Sequence, residues 1–253
     1  MIIISASMPR SASRFLHFAT IDLLSVTGNL HSTELIKDIK KTPLKRFDFI
    51  EINKLIKASK YTSFAVRTHQ KPHFFINHYL KKGAFIATYM YRDPRDVICS
   101  ALELGCKIRN SGNTQRHFGV GPYKNVAKLF KLEDAILWFK WILYPRWKLW
   151  MKAPNTIHFR YEDFVANPFT HLKNVADFIE IEVSDSEIAE IIENHNNKKG
   201  SSEYQTLGGG NIFNKGIPSR FTKDLSPKQI TFINKKLEKE LLNTGYLSGT
   251  SKD

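Results

Sequence analysis

Largely apolar residues occur in four short runs along the chain, and each run gives way to polar residues. Short continuous runs of this kind are typical of strands that are buried on both faces. Between the runs, apolar positions recur at helical spacing, and strands separated by helices indicate a parallel sheet. We therefore predict an α/β fold: a single domain with a central parallel β-sheet flanked by helices. The predicted strands are Ile2–Ile4, Phe64–Thr68, Ala84–Tyr91 and Thr156–Arg160.

The predicted helices follow from apolar spacing together with residues that start or stop a helix. Asp93 is a good N-cap and Pro94 a good first helical residue, so we expect a helix from Pro94 to about Leu104. Gly245 is expected to stop the last helix. The other predicted helices begin near Phe15 or cover Pro72–Lys81, Glu133–Lys152, Phe164–Ile179 (after Pro168), Ser184–Asn194 and Pro227–Leu242.

Two segments show no sustained period, and one helix carries an unusual number of tryptophans. We interpret residues 29–63 as short helices and loops bordering a pocket, and residues 105–131 as a long lid or pocket loop. Pro145 must kink or split the helix in which it lies. That helix is expected to pack in the core through Trp138, Trp141, Trp147 and Trp150.

The length of 253 residues suits one domain, predicted over residues 1–247, with a flexible tail at 248–253. Cys99 is predicted inside a helix and Cys106 just past its end, both as reduced thiols, with no spacing that suggests a disulfide framework or a metal site. We find no signal peptide and no membrane span in the sequence. These features predict a cytoplasmic protein that binds no metal.

The balance of charges is strongly basic, with 38 Lys and Arg against 24 Asp and Glu, a net charge of +14. Such a balance suits nucleic acid, an anionic surface or a highly anionic small ligand. Lysine-rich patches at 37–41 and 235–239 are not interleaved with aromatic residues, as a platform for single-stranded nucleic acid would be. The charge therefore permits an anionic ligand and does not identify one.

Polar residues that can carry chemistry follow each predicted strand. Arg10, His69, Arg92 and Tyr161 each lie just past the carboxyl end of a strand. In open parallel sheets, ligands bind at that edge. The first of these loops, residues 5–13, joins a strand to a helix N-terminus, where free amides favour a phosphate or sulfate. It lacks the GxxxxGK[ST] pattern, so an ordinary ATP or GTP site is not expected, and a hydroxyl-rich N-cap is the plainer interpretation.

Two motifs resemble those of sulfotransferases. The run PRSASRF resembles the family's PKSGTTW loop, and YRDPRDVICS resembles its RxPxDxxxS element. The first resemblance implies a grip on the 5′-phosphosulfate of 3′-phosphoadenosine-5′-phosphosulfate (PAPS), and the second a clamp on its 3′-phosphate by Arg92 and Ser100. The residues implied for the first loop are Arg10, Ser11, Ala12, Ser13, Arg14 and Phe15.

Three further segments are similar to sulfotransferase motifs in the family's order. Arg67-Thr68-His69 resembles the KTH element, which implies that His69 is the general base. The YED segment with its following Asn-Pro resembles YEDL…DP, which implies that Tyr161 approaches the adenine. The run NKGIPSRF resembles the loop RKGxxGxWK that closes over the 3′-phosphate. In that loop Lys215 and Gly216 match, and Arg220 supplies a further cation.

The sequence departs from the family pattern at four of these positions. Ala12 replaces a glycine, so the loop must adopt a negative φ there or accept strain. Arg10 replaces a lysine, which keeps the charge and changes its geometry. Phe15 replaces a tryptophan expected to stack on adenine, and Asn214 replaces an arginine, so one contact to the 3′-phosphate is lost.

The resemblance implies the P-loop-like sulfotransferase fold and the transfer of a sulfuryl group from PAPS to a hydroxyl or amine of a small-molecule acceptor. A bacterial natural product, and hence a role in secondary metabolism, is the first choice of acceptor; a carbohydrate or glycolipid is the alternative. Glu103, Glu133 and Asp134 could attract a cationic acceptor or simply be surface acids. From other classes, a noncatalytic nucleic-acid-binding protein and a nucleotide kinase stay open as weaker alternatives, and the oligomeric state is undetermined.

Overall fold

Four parallel strands form one sheet in the order β2-β1-β3-β4. The computed structural model describes residues 1–26, 49–60, 63–110, 126–197 and 217–248. In the sheet, Ile2 of the first strand pairs with Phe64 on one side and Phe85 on the other. The predicted parallel sheet is therefore confirmed. The strands are β1 (Ile2–Ser7), β2 (Phe64–Thr68), β3 (Phe85–Tyr91) and β4 (Thr156–Arg160).

Helices cover both faces of the sheet, and within the described residues none is long and apolar enough to cross a membrane. The helices before β4 are α1 (Ser13–Val26), α2 (Phe49–Ser59), α3 (Phe74–Lys81), α4 (Pro94–Asn110), a 3-10 turn (Val126–Lys128), α5 (Leu132–Trp138), a π-helical turn (Phe139–Leu143) and α6 (Tyr144–Trp150). Those after it are α7 (Tyr161–Ala166), α8 (Pro168–Phe178), α9 (Asp185–Asn197), α10 (Phe221–Asp224), α11 (Pro227–Lys236) and α12 (Glu238–Thr244).

Alternation along β1 divides the core into two layers. Ile2 and Ile4 pack in the layer that includes α4, α5 and α6, whereas Ile3 packs with α1, α8 and α9 on the other face. All three isoleucines are buried, as expected for a strand covered on both sides. Burial on both faces fixes the register of β1 and with it the position of the loop that follows.

The tryptophan-rich segment is split at Pro145, as predicted. A π-helical turn precedes α6, and Pro145 lies in the first turn of that helix, where its missing N–H costs no hydrogen bond. Trp138, Trp147 and Trp150 are buried in the core. The prediction was wrong for Trp141, which is 69% exposed.

Helix α4 is longer than predicted, because Gly105 does not stop it. A Cβ at this glycine would come within 2.5 Å of the Val126 carbonyl oxygen, so the residue allows close packing inside the helix. The predicted lid was therefore wrong for residues 105–110, which are helical and include Cys106. Residues 111–125 of that segment lie outside the described residues.

Other predicted boundaries changed in smaller ways. The last predicted helix is divided into α11 and α12, and a short α7 precedes α8, whose N-cap Asn167 accepts a hydrogen bond from the Thr170 amide. Gly245 adopts a left-handed φ of 77° and ends α12, as predicted. Most of the segment 29–63 and of the tail 248–253 lies outside the described residues.

Candidate active site

The carboxyl edge of the sheet brings together Arg10, His69, Arg92 and Tyr161. Arg92 Nη1 donates to the Arg10 carbonyl at 3.2 Å, and its guanidinium lies 4.3 Å above the Tyr161 ring. His69 contacts β1 through Ser7, directly before the Arg10 loop. Residues from all four strand ends thus form one continuous polar edge.

The loop between β1 and α1 is attached firmly to β3. The Met8 amide donates to the Met90 carbonyl at 2.8 Å, continuing the β-ladder past the strand. The Ser11 hydroxyl is buried and donates to the Met8 and Met90 carbonyls at 2.6 and 3.1 Å. Because this hydroxyl serves the loop itself, an anion at the N-terminus of α1, which begins at Ser13, would meet backbone amides.

Two residues of this loop have a left-handed backbone. Arg10 has a φ of 72° and Ala12 a φ of 53°. The loop therefore accepts strain at Ala12, the second of the two alternatives that its replacement of glycine left open. A non-glycine residue in this region costs roughly 1–2 kcal/mol, and such residues cluster at functional sites.

Arg10 reaches across to α4. Its Nε donates to the Ser100 hydroxyl at 2.6 Å, and Ser100 is itself buried. Sequence reasoning paired Ser100 with Arg92, whereas the structure places the Ser100 hydroxyl on the Arg10 guanidinium. The first loop and the helix after β3 are therefore joined by a direct side-chain contact.

Arg92 is almost fully buried and its guanidinium is extensively bonded. Its Nε and Nη2 donate to Asp96 Oδ2 at 3.2 and 2.8 Å, and Nη2 also donates to the Ile217 carbonyl at 2.7 Å. With the bond to Arg10, these contacts use four of the five N–H groups of a guanidinium. Arg92 thus joins the first loop to Ile217 of the predicted 3′-phosphate loop.

Asp96 accepts hydrogen bonds from Arg92 and from the start of α10, a role that sequence reasoning missed. It is completely buried, its Oδ2 accepts from Arg92, and its Oδ1 accepts from the Phe221 amide at 2.9 Å. Its spacing of four residues from Arg92, which places both side chains next to each other, was the available signal.

His69 is half-buried and is oriented by Ser7. Its Nδ1 lies 3.0 Å from the Ser7 carbonyl oxygen and 3.1 Å from the Ser7 hydroxyl oxygen. A carbonyl can only accept, so Nδ1 carries the proton and the lone pair of the neutral ring is on Nε2. Ser7 is a second residue whose role sequence reasoning missed.

The surroundings of His69 favour its neutral form. Burial lowers the pKa of His69 to about 4, the Ser7 carbonyl opposes this shift, and the charges of Arg67, Arg14 and Arg10 add to it. His69 is therefore neutral at pH 7 and able to accept a proton at Nε2. The same three arginines mark the edge as a site for negative charge.

The two aromatic residues of the predicted adenine site lie on the same side of the loop. Tyr161 is buried beneath Arg92, and burial raises the pKa of its hydroxyl, which stays protonated at neutral pH. The Phe15 ring packs edge-on against Phe164, with ring centroids 5.4 Å apart, and lies tilted against His195, with centroids 5.2 Å apart. Both rings are thus held by the layer of the core that contains α1 and α9.

The remaining predicted residues belong to the segment before α10. Arg220 is paired with Asp224 at 2.6 Å and with Glu103 at 2.9 Å, beside a cavity of about 390 Å³. Glu103 also pairs with Lys107 at 2.7 Å, so it is a partner of basic side chains. Lys215 and Gly216, like Asn214, lie outside the described residues.

A buried polar network stabilises the loop between β3 and α4, next to Arg92. Glu162 accepts from the Asp93 amide at 3.1 Å and from the Tyr246 hydroxyl. Arg95 pairs with Asp93 at 2.7 Å and donates to the Tyr246 carbonyl at 3.0 Å. The chain end thus supports the loop between β3 and α4. Within the described ranges, no group of three or more His, Cys, Asp or Glu side chains is placed to hold a metal ion.

A parallel sheet whose carboxyl edge presents a helix N-terminus, arginines and a neutral histidine is typical of an α/β protein that binds an anionic ligand at that edge. Comparison with protein families identifies the class further. The family model described as "Sulfotransferase domain" matches residues 2–245, and the chain belongs to that family of sulfuryl-transferring enzymes.

Solved structures of proteins complexed with PAP share the fold. A mouse sulfotransferase complexed with PAP is 18% identical with a TM-score of 0.63, covering 96% of this chain and 84% of that one. A retinol dehydratase with retinol and PAP is 17% identical with a TM-score of 0.57, covering 98% and 83% of the two chains. A second retinol dehydratase structure, with androsterone and inactive cofactor PAP, is 17% identical with a TM-score of 0.56 and covers 95% and 80%. No curated protein matches the sequence.

Proposed function

We propose that this sulfotransferase uses PAPS as its donor and transfers the sulfuryl group to a hydroxyl or amine of a small-molecule acceptor. The observation that carries the proposal is the joining of Arg10, Arg92 and His69 at one sheet edge, with Arg92 bonded to the Arg10 carbonyl. PAPS, when bound, supplies the electrophilic sulfur and a phosphate leaving group. The protein then has to bind two anionic ends and remove one proton from the acceptor.

The donor residues are proposed from their positions. Arg10 and the amides from Ser11 to Arg14, at the start of α1, are proposed for the 5′-phosphosulfate because helix N-terminal amides and a guanidinium both favour such an anion. Arg92 and Ser100 are proposed for the 3′-phosphate. Since Arg92 already donates to the Ile217 carbonyl, a phosphate must share or replace that bond. The further proposed donor contacts are Phe15 and Tyr161 for adenine, and Lys215, Gly216 and Arg220 for the 3′-phosphate.

His69 is proposed as the general base, accepting the acceptor's proton at Nε2. The Ser7 carbonyl keeps the proton on Nδ1 and so presents the lone pair on the other nitrogen. An anionic donor would offset the charges of Arg67, Arg14 and Arg10, and would therefore raise the pKa of His69 from about 4 towards the working range. The base would thus become effective when the donor is present.

The acceptor and the compartment are proposed more broadly. The proposed acceptor is a hydroxylated or amine-bearing metabolite, with a bacterial natural product as the first candidate; a carbohydrate or glycolipid is the alternative. Both cysteines are free thiols, and burial raises the pKa of Cys99 to about 12. Free thiols suit the cytoplasm, where we place the protein.

Calorimetric titration with adenosine-3′,5′-bisphosphate and with AMP tests the donor site. We expect binding that requires the 3′-phosphate and falls at least about 30-fold in Arg92→Ala, since a buried charged contact is worth about 2–5 kcal/mol. Arg92→Lys keeps a charge opposite Asp96 and controls for folding, and the exposed Lys148→Ala controls for net charge. Equal binding of the two nucleotides, or none, would contradict a PAPS site.

A further inference from the structure

Helix α3 carries aromatic side chains on its solvent side. Phe74 and Phe75, in its first turn, are 79% and 41% exposed, whereas Ile76 and Leu80 on the other side are fully buried in the core. The Phe74 ring lies edge-on to Phe75, with centroids 5.8 Å apart, and stacks on His78 with centroids 6.5 Å apart. Large apolar side chains exposed together are typical of a surface that contacts a partner or a membrane.

Exposed lysines border these rings at both ends of the helix. Lys71 lies three residues before Phe74, and Lys81 and Lys82 lie where α3 ends. A spacing of seven residues returns Lys81 to the side of the helix that carries Phe74. Phenylalanine and lysine on the outer side of a short amphipathic helix are typical of helices that lie on a membrane surface.

The chain between α6 and β4 contacts α3 at both of its ends. Trp150 Nε1 donates to the Gln70 carbonyl, before the helix, at 2.8 Å. The Asn155 side chain donates to the Leu80 carbonyl, in its last turn, at 2.6 Å. Lys152 is exposed and lies between these two contacts in sequence, so it adds a further positive charge beside α3.

Neither of the two segments that meet here supplies a carboxylate. Residues 52–92, which include α3, contain no Asp or Glu, and neither do residues 135–161, which include α6. The lysines around the exposed rings are therefore not neutralised by either segment. A surface of this charge is complementary to the anionic lipids of a membrane, which attract each lysine near the surface.

We propose that this part of the molecule, the α3 surface, binds the surface of a bilayer that contains anionic lipids. The two phenylalanine rings would insert among the headgroups while the lysines contact the lipid phosphates and carboxylates. Binding of this kind needs no membrane-spanning helix. The α3 surface consists of Lys71, Phe74, Phe75, Lys81, Lys82 and Lys152.

Nucleic acid is the other polyanion that a basic surface with aromatic residues can bind, and the α3 surface suits it less well. Its cations are all lysines, whereas the planar fork of arginine is preferred in nucleic-acid recognition. A platform for single strands also offers flat rings on which bases stack. Here Phe74 is edge-on to Phe75 and its face is already stacked on His78.

The α3 surface begins next to the proposed base, because Lys71 follows His69 by two residues. A bilayer bound there would bring acceptors that are dissolved in it close to His69. That consequence rests on the proposed function, whereas the binding of the membrane does not.

Sedimentation of the full chain with vesicles tests the inference. We compare vesicles of phosphatidylcholine alone with vesicles that contain about one-third phosphatidylserine, and expect binding to the second kind. Replacing both rings, in Phe74→Gln with Phe75→Gln, should weaken binding at least about 10-fold, since burial of even one such ring is worth that much. Lys81→Gln with Lys82→Gln should weaken it by about 5-fold for each lysine.

Matched variants elsewhere separate the α3 surface from the general attraction of a basic protein. Phe130→Gln replaces a ring that is 67% exposed beside Asp134, and Lys235→Gln with Lys236→Gln removes two exposed charges from α11. Both controls should bind the anionic vesicles as wild type does. Urea midpoints of all variants should equal that of wild type, because the replaced side chains are exposed.

The inference is overturned if wild type does not sediment with the anionic vesicles, or if the control variants lose as much binding as the α3 variants. It is also overturned if oligo(dT) binds, and depends on the two phenylalanines, while the vesicles do not. Bisphosphate titration of the same samples reports on the donor site separately. Vesicle binding without bisphosphate binding contradicts the donor proposal and leaves the α3 surface standing, and the opposite result does the reverse.

Discussion

At the scale of single residues, the position of one proton on His69 decides what that side chain can do. The contact of Nδ1 with the Ser7 carbonyl at 3.0 Å requires a donor at Nδ1. Nitrogen-15 NMR of the free protein therefore has to show the Nδ1-protonated tautomer. The Ser7 side chain could be read from the sequence only as part of a small-residue turn, because its contact joins residues 62 positions apart.

The lowered pKa of His69 also predicts how stability depends on pH. The folded pKa of about 4 lies below the unfolded value of 6.5, so the unfolded chain binds more protons between these values. Stability is therefore unaffected by His69 above about pH 6.5 and is lost as the pH falls towards 4. Partial exposure of the ring limits the loss to less than about 2 kcal/mol at pH 5.

Urea denaturation of wild type and His69→Asn at pH 7 and pH 5 measures this contribution. The variant should lose less stability than wild type between the two pH values, because the remaining histidines are common to both. His78→Asn, on the outer part of α3, serves as the matched control and should behave as wild type. A His69 variant with the full wild-type loss would show that this ring does not resist protonation.

At the scale of elements, the contact of α4 with the start of α10 determines how Arg92 is held. Asp96 accepts from Arg92 with one carboxylate oxygen and from the Phe221 amide with the other, across 125 residues of sequence. Asp96→Asn leaves the Arg92 guanidinium buried without its counter-charge. We expect a loss of about 3–5 kcal/mol of stability, the range for breaking a buried pair, together with weaker bisphosphate binding.

The control for this element is the exposed pair of Lys173 and Asp185, which joins α8 to the start of α9 at 2.6 Å. Asp185→Asn should change the denaturation midpoint little, because exposed ion pairs are screened by water and salt. If Asp96→Asn were as mild as Asp185→Asn, Asp96 would not be the residue that positions Arg92. Denaturant midpoints and calorimetric titration on the same samples provide both measurements.

Local sequence predicted the elements whose causes are local. Three of the four strands, the Asp93-Pro94 helix start, the split at Pro145 and the Gly245 stop were found where expected. The first strand was predicted too short, since β1 continues past Ile4 to Ser7 by pairing with β3. The predicted helix ended near Leu104 and the predicted loop began at Gly105, because the close approach of this glycine to Val126 is visible only once the chain is folded. The convergence of Arg10, His69 and Arg92 followed from the topology of parallel sheets, whereas the Asp96 and Ser7 contacts depend on side-chain geometry.

At the scale of the whole molecule, Tyr246 supports the carboxyl edge of the sheet, where the proposed site lies. Tyr246 donates its hydroxyl to Glu162 on α7, accepts from Arg95 of α4 at its carbonyl, and lies with its ring against the guanidinium of Arg160 at 4.4 Å. One residue near the C-terminus thus joins β4, α4 and α7. Substitution of Tyr246 should therefore change how Arg92, more than a hundred residues away in sequence, is held.

Tyr246→Phe tests this long-range support with the removal of one oxygen atom. Burial raises the pKa of Glu162, and the Tyr246 hydroxyl and the Asp93 amide oppose the shift. Without the hydroxyl the pKa of Glu162 rises further, and stability falls by about 1–3 kcal/mol, the cost of a buried group left without its partner. Because Glu162 also accepts from the Asp93 amide at the start of α4, bisphosphate binding should weaken in parallel.

Tyr79→Phe, which removes a hydroxyl from a ring stacked on Phe85 at the start of β3, is the matched control. Denaturant midpoints and bisphosphate titration of the two variants separate a general cost of removing a tyrosine hydroxyl from the specific role of Tyr246. If both variants lost the same stability and bound the nucleotide as wild type does, Tyr246 would pack against α7 without supporting the proposed site. A larger loss of stability in Tyr246→Phe, together with weaker bisphosphate binding, would show that Tyr246 supports the proposed site at the carboxyl edge of the sheet. The only change in this variant is the loss of the hydroxyl that donates to Glu162.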